Sequence, residues 1–354
     1  MGLFRLGRKP ASFGLDIGSS AVKVVEIAHG RHRAVLKSCA SVPLPRDAIS
    51  EGMIKDQTMV SDAITEAVEE AGIKATSAII SISGREAITK RVPLPRVSPK
   101  ELADAILLEA EHHIPFAVDE VFLDYQVVGE SASAMDVLLV AVKRVKVLEY
   151  VAAVEEAGIE AAVVDLDAFA VQNQFELGGG ANGDGDAVAL IDIGAAFMKT
   201  NVVRGGVPIF VRDVPFGGHH YTEAIAQRFG LPFEKAEAAK HGENMGVNGN
   251  ELIPALEAVS RELSLEVQRT FDYFASTTES ERIGKILLSG GGAKLAGLDK
   301  FLSSAWGIPV EIARPFHALA VDAGRFSNDE LERLGPQMAV AVGLGLRTPG
   351  DRAA

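Results

Sequence analysis

The sequence is poor in several features that would have assigned it to a class at once. Cys39 is the single cysteine among 354 residues, so the chain forms no internal disulfide framework and supplies too few thiolates for a cysteine-ligated iron–sulfur cluster. That usage fits a reducing compartment, most simply the cytoplasm. No apolar run approaches the ~20 residues of a membrane helix; the stretch Met135 to Val142, itself broken by Asp136, falls far short. A basic surface is missing too. The formal net charge is -13, which argues against a nucleic-acid partner, because a phosphate backbone demands lysine and arginine. What remains is ordinary for a globular protein: 47% hydrophobic and 23% charged residues, in a length that allows two compact domains.

The start, Met1-Gly-Leu-Phe-Arg-Leu-Gly-Arg-Lys9, is basic but lacks the apolar core of a signal peptide. It reads as a flexible leader over residues 1–11, with contact to an anionic membrane surface as the competing reading. Strand patterns follow over Ser12–Ile17, Val22–Ala28 and Ala34–Val42. Val60, Ile64, Ala67, Val68 and Ala71 share one face of a helix from Gln57 to Ala71, which Gly72 stops. Ala78–Ile82 is another buried strand. These elements, with a strand and helix over 159–177 and a closing helix at 335–347, are expected to build the first domain.

Residues 84–158 have their own rhythm of strand, helix, strand, strand, helix, which predicts an inserted α+β subdomain. Its first helix opens on a capping box, Ser98-Pro-Lys-Glu101, and ends at Ile114-Pro115. Gly178-Gly-Gly-Ala-Asn-Gly-Asp-Gly185 then breaks all periodicity and marks a linker over 178–186. After it the opening pattern recurs: Val188-Ala-Leu-Ile-Asp-Ile-Gly194 echoes Phe13-Gly-Leu-Asp-Ile-Gly18. A second domain over 187–334 follows, so the chain reads as a duplicated α/β fold with a cleft between the copies.

Three segments carry the chemistry. Asp16-Ile-Gly-Ser-Ser20 sits between two apolar strands, where Gly18 lets the backbone approach a ligand and Ser19 and Ser20 add hydroxyl donors for phosphate oxygens. Asp16 can hold Mg²⁺ through water, and Lys23 can neutralise phosphate charge or simply be an exposed strand residue. Asp192-Ile-Gly-Ala-Ala196 is a second turn of this kind, and the pair can clamp a polyphosphate from both sides. Ser289-Gly-Gly-Gly-Ala293 follows the strand Ile286-Leu-Leu288 and lets backbone lie flat against a base and ribose.

In this order the three segments resemble the phosphate-one, phosphate-two and adenosine motifs of the actin/DnaK/sugar-kinase superfamily. Within it the chain is similar to the PilM family of actin-like type IV pilus assembly proteins, with FtsA as kin, through Phe13 to Glu26, Val188 to Ala196, Ile286 to Lys294 and Met338 to Arg347. The resemblance covers about residues 12 to 347. It implies an α/β actin-like fold, ribonuclease H-like and duplicated, a two-domain ATPase fold carrying the inserted α+β subdomain. It also implies ATP and Mg²⁺ in the cleft. Asp16, Gly18, Ser19, Ser20 and Lys23 would meet Asp192, Gly194 and Ala195 across the phosphates, the metal held by Asp16 and Asp192 through water. Gly290, Gly291 and Gly292 would cover the adenosine, while Glu237 and Lys240, three apart on a helix, would reach ribose and base. On residues alone those two are equally an ion pair on a solvated helix face.

The resemblance further implies a cytoplasmic protein, peripheral to the inner membrane through its partner, the cytoplasmic N-terminal segment of PilN, which would dock in a groove near the inserted subdomain. Contacts with other pilus assembly proteins, including the motor ATPases, and a homo-oligomer or ring are compatible with it. Ala195 and Ala196 offer only backbone amides where relatives often place hydroxyls or glycine, so the chain is expected to be at most a slow ATPase. Asp165, Asp167 and Gln172 lie near the segment where relatives place a water-orienting residue, although helix capping explains either aspartate as well. His112-His113 and His219-His220 lack partners at metal spacing, and Phe271, Tyr273 and Phe274 suit a core. Two other functions share the fold. An FtsA-like filament protein of cell division needs a C-terminal amphipathic anchor, which Arg347 to Ala354 is too short and polar to form. A small-molecule kinase needs a carboxylate base that no motif here marks.

Overall fold

The computed structural model describes residues 11–30, 33–180, 185–278 and 281–351. Most of the basic leader and the middle of the glycine-rich linker, residues 1–10 and 181–184, lie outside them. The chain opens with an antiparallel meander, β1 (Ser12–Ile17), β2 (Ala21–His29) and β3 (Ala34–Pro43). A small hairpin, β4 (Ile49–Ser50) and β5 (Met53–Ile54), leads into α1 (Gln57–Ala71) and β6 (Ser77–Ile82). Asp56 caps α1 by accepting the Met59 N–H, and Gly72 ends it at φ 65°, a conformation that favours glycine. Next come β7 (Ala87–Pro95), α2 (Pro99–His113), β8 (Val121–Glu130), β9 (Ala134–Lys143), α3 (Arg144–Glu156), β10 (Glu160–Leu166) and α4 (Asp167–Leu177).

The second half repeats the plan with β11 (Ala187–Ile193), β12 (Met198–Arg204) and β13 (Val207–Val214). Helices α5 (Gly218–Phe229), α6 (Phe233–Lys240) and α7 (Gly249–Thr277) follow, then β14 (Ile283–Ser289), α8 (Leu298–Trp306) and β15 (Val310–Ile312). Helices α9 (Asn328–Leu334) and α10 (Ala339–Gly345) close the chain. A tight turn at Gly335–Met338 replaces the beginning of the single closing helix that the apolar pattern predicts.

Two five-stranded sheets share one topology: β10-β6-β1-β2-β3 and β13-β12-β11-β14-β15. In each, an antiparallel meander is extended by two parallel strands beside its first strand. The internal echo in the sequence is therefore a repeat of fold. One core lies where the first sheet meets α1 and α3, through Phe13, Leu15, Ile64, Ile80 and Val154. Its counterpart joins the second sheet to α7 and α8. Each fully buried Leu, Ile or Phe contributes about 1.5–3 kcal/mol.

Between the sheets lies a third apolar layer, made by α4 and α10 with Ile79 of one sheet and Leu190 and Val203 of the other. The two helices cross closely. A Cβ at Gly343 would lie 1.7 Å from the Ala170 carbonyl oxygen, so glycine alone fits there.

The inserted stretch divides differently from its sequence rhythm. Strands β7, β8 and β9 form a separate sheet in the order β7-β9-β8, and α2 packs on it through Leu102 and Ile106. Helix α3 instead buries Val147, Tyr150, Ala153 and Val154 in the first core. Apolar periodicity identifies the buried face of a helix, not the core that it meets.

Candidate functional site

The turn Ile17–Ser20 joins β1 to β2, closed by a Gly18 N–H donating to Ala21 O at 3.1 Å. Antiparallel register places Asp16 opposite Lys23, and the lysine Nζ stands 2.8 Å from the Asp16 Oδ2. Ser19 and Ser20 are half-buried and exposed at the turn, free of the sheet ladder. The second half builds the same device. Gly194 N–H donates to Phe197 O at 2.9 Å, and Asp192 pairs in register with Lys199, whose Nζ lies 3.0 Å from Asp192 Oδ2. In each half, then, an aspartate ending the first strand holds a lysine seven residues on.

Lys199 does more than its counterpart. Its Nζ also lies 2.9 Å from Asp167 Oδ2, in the first turn of α4, and it acts on Asp16 as well. The remaining oxygens are held too: Ser81 Oγ donates to Asp167 Oδ1 at 2.5 Å, and Ser289 Oγ to Asp192 Oδ1 at 2.9 Å. Burial pushes the Asp16 carboxyl above its usual range, an effect that Lys23 opposes and Asp167 reinforces. Burial would do the same to Asp167, but the Lys199 ammonium and the Ser81 and Ser83 hydroxyls outweigh it and hold that carboxyl low. Against its own burial, Lys199 is raised well above the ordinary lysine value by Asp167, Asp192 and Asp16. At the rim, Asp213 of β13 accepts the Gly84 N–H at 2.6 Å, yet burial pushes it up to about 6.

Helix α5 begins against the second turn. Gly218 N–H donates to Gly194 O and His219 N–H to Ala195 O, both at 2.9 Å. A Cβ at Gly217 would come within 2.5 Å of Gly194 O and Ala195 O. His219 and His220 are thus helix-start residues; the His220 ring accepts the Gly217 N–H and stacks on Phe216. Glu237 and Lys240 of α6 are brought to the same place. Lys240 Nζ lies 2.7 Å from Glu237 Oε2, 3.0 Å from Thr222 Oγ1 and 3.3 Å from Gly218 O. Burial would raise Glu237, but His241, Lys240 and the Thr222 hydroxyl together hold it at about 2.

The third loop leaves β14 at Ser289. Gly290 takes φ 83° and a Cβ there would lie 2.4 Å from Ile193 O, while one at Gly292 would lie 2.3 Å from the Ile193 side chain. These glycines let the loop close onto the end of β11, beside Asp192; at Gly291 the space is open. Two other expected residues turn elsewhere. Asp165 pairs with Arg347 at 2.5 Å, and Gln172 bridges the Asn201 amide and Gly206 O. Phe271 and Phe274 lie in the second core, whereas Tyr273 is half exposed beneath Arg212. Sequence reasoning missed Lys199 and the Ser81 and Ser289 hydroxyls. The first was legible, since Asp-Ile-Gly is followed at the same distance by lysine in both halves.

A cavity of about 700 Å³ opens beside this cluster. It lies between β7 (Ala87, Ile88, Thr89, Lys90) and β13 (Val211, Arg212, Asp213), each the outer strand of its sheet, with His112 to Pro115 closing one side.

Comparison with known proteins decides the family. The model of the type IV pilus assembly protein PilM family matches residues 14–349. The chain belongs to the PilM family. A solved PilM-PilN type IV pilus biogenesis complex contains a chain 30% identical to this one, with TM-score 0.85 over 96% of this chain and 99% of that one. Similarity of fold alone extends to the ethanolamine utilization protein EutJ from Carboxydothermus hydrogenoformans (16% identity, TM-score 0.58, 94% and 88% covered). It extends also to MreB 5 of Spiroplasma citri, solved with AMPPNP (11% identity, TM-score 0.53, 95% of both chains). The PilM fold is thus actin-like, and the family match favours neither the FtsA-like nor the kinase reading. Among the described residues, no helix is long and apolar enough to cross a membrane.

The expected ligands fit this PilM cleft unequally. Two glycine turns, accessible serine hydroxyls and Lys23 suit a polyphosphate. Magnesium coordinated directly by Asp16 and Asp192 does not fit. Asp192 already receives Ser289 on one oxygen and the Lys199 ammonium on the other, and Asp16 Oδ2 receives Lys23. A divalent ion ~5 Å from that ammonium would be repelled by roughly 7 kcal/mol at an effective dielectric of ~20.

Proposed function

We propose that this PilM family member is a nucleotide-binding, actin-like component of type IV pilus assembly that docks the cytoplasmic N-terminal segment of PilN. Family membership supports the biological role, and the 30% identical relative was solved in complex with PilN. The observation that carries nucleotide binding is the pair of matching Asp-x-Gly hairpins, one from each half, whose charged groups act on one another across the cleft. ATP is the ligand this arrangement suits. Its phosphates would lie between the turn at Gly18, Ser19 and Ser20 and the turn at Gly194 and Ala195, with Glu237 and Lys240 beside the second turn. Turnover is slow in this reading, because Ala195 and Ala196 bring no hydroxyl to orient an attacking water.

The docking site proposed for the PilN segment is the cavity between the outer strands β7 and β13. Two unpaired strand edges receive an extended peptide through main-chain hydrogen bonds. Arg85, Lys90 and Arg212 line it and give it a basic cast. The protein would then sit at the inner membrane through its partner. Two measurements test the reading. Fluorescent ATP should bind the wild type and lose at least about tenfold, or ~1.4 kcal/mol, on Lys23→Ala; unchanged affinity refutes the phosphate role. The PilN segment should be retained by immobilised protein with or without ATP, and no retention in either condition sinks the docking.

A further inference from the structure

The two halves carry the same aspartate–lysine pair, but the lysines differ in what surrounds them. Lys23 serves one carboxylate, Asp16, at 2.8 Å. Lys199 serves two carboxylates from separate elements, Asp192 ending β11 and Asp167 opening α4, at 3.0 and 2.9 Å. All four oxygens of that pair are occupied, two by Lys199 and one each by the Ser81 and Ser289 hydroxyls. The ammonium is enclosed, its side chain 13% exposed. Carboxylates facing one another from the ends of two sheets, with phosphate-accepting turns beside them, are where a divalent cation would bridge protein and polyphosphate. In this chain a covalently attached monovalent cation already stands there.

We propose that Lys199 is the resident cation of the cleft, taking the place of a divalent metal between Asp167 and Asp192, so that nucleotide binds independently of magnesium. The inference rests on the nucleotide reading above and changes what it requires. Phosphate charge is met by the Lys23 ammonium and by the backbone amides of the two turns, while Lys199 neutralises carboxylate charge that would otherwise repel it. Because this counter-ion is part of the chain, it arrives with folding and leaves only with unfolding. It also ties α4 to the second sheet whether or not nucleotide is bound, which a metal arriving with ATP would not do.

The test uses the full chain in two arms. In the first, Mn²⁺ is titrated without nucleotide and followed by the paramagnetic resonance of the free ion. The wild type should leave the signal undiminished, while Lys199→Thr, which puts a strand-favouring β-branched residue in its place, should take Mn²⁺ up. Lys199→Arg retains the charge and should stay inert, which separates loss of the cation from general damage. In the second arm, fluorescent ATP is titrated in EDTA and in excess Mg²⁺. Wild-type affinity should agree between the buffers within about twofold, and Lys199→Thr should lose at least about tenfold in EDTA alone. Uptake of Mn²⁺ by the wild type, or a tenfold loss of its ATP affinity in EDTA, overturns the proposal. Absence of ATP binding in both buffers refutes the nucleotide reading instead, and the Mn²⁺ arm still decides the role of Lys199.

Discussion

The crossing of α4 and α10 allows a sharp test of how the two halves are joined. Replacing Gly343 by alanine would place a methyl group 1.7 Å from the Ala170 carbonyl oxygen. A carbon ordinarily approaches such an oxygen no closer than about 3.3 Å, so the helices must part by roughly 1.5 Å. Neither has slack. Ala339, Val340, Ala341, Val342 and Leu344 of α10 are buried, as are Ala168, Ala170 and Val171 of α4, and both sheets press on the pair. Overpacking a core costs about 1–3 kcal/mol where side chains can adjust. Here the obstacle is backbone, which puts the strain at or above the top of that range. Alanine returns up to ~1 kcal/mol as the better helix former.

A net loss of about 3 kcal/mol is therefore expected, or about 6 °C at ~2 °C per kcal/mol for a chain of this size. Gly249→Ala is the matched control. It lies in the first turn of α7 with no atom within 4 Å of the added Cβ, and it should gain up to ~1 kcal/mol. Urea and thermal melts followed by circular dichroism would compare the two. A Gly343→Ala midpoint at or above the wild type would refute the view that this crossing is rigid.

Other outcomes follow from the charged groups. Asp213 has a folded-state pKa raised from 3.8 to about 6, so the folded state binds the extra proton, and the stability this provides is present below pH ~4 and lost as pH rises through 6. Asp213→Asn keeps an oxygen for the Gly84 amide and removes the titration, so between pH 4 and 7 it should gain about 2–3 kcal/mol relative to wild type in urea melts; parallel profiles would contradict this. Arg347→Ala strands the buried Asp165 and should cost about 3 kcal/mol, much of it recovered by adding Asp165→Asn. A melt of the single variant unchanged from wild type would show that pair to be idle.

Much of the fold is written in local pattern. The helix over Gln57–Ala71 with its Gly72 stop has the bounds that its apolar face and glycine predict. The two Asp-Ile-Gly turns emerge at the ends of equivalent strands because each closes a short, mostly buried strand. Illegible parts are of two kinds. Some elements are too short for periodicity, such as β15 with three residues or α9 with only Leu331 buried, although Ser327 accepting the Glu330 N–H was a readable cap. Others depend on contacts that no local pattern holds. Asp213 reaches Gly84 across 129 residues, and Lys199 reaches Asp167 only because α4 is wedged beside the second sheet. The pairing of Asp16 with Lys23 and of Asp192 with Lys199 is of this kind too, since strand register and not local pattern sets each lysine against its carboxylate.

The hydrogen bond from Gly84 to Asp213 has a mechanical consequence. Gly84, at φ 105°, is the stem by which the chain leaves β6 for the three-stranded sheet, so that sheet is anchored covalently to one half and by a carboxylate to the other. Any rotation of β13 relative to β6 must break this tether or drag the appended sheet along. An event in the cleft and a load on the appended sheet therefore share one bond as their common lever.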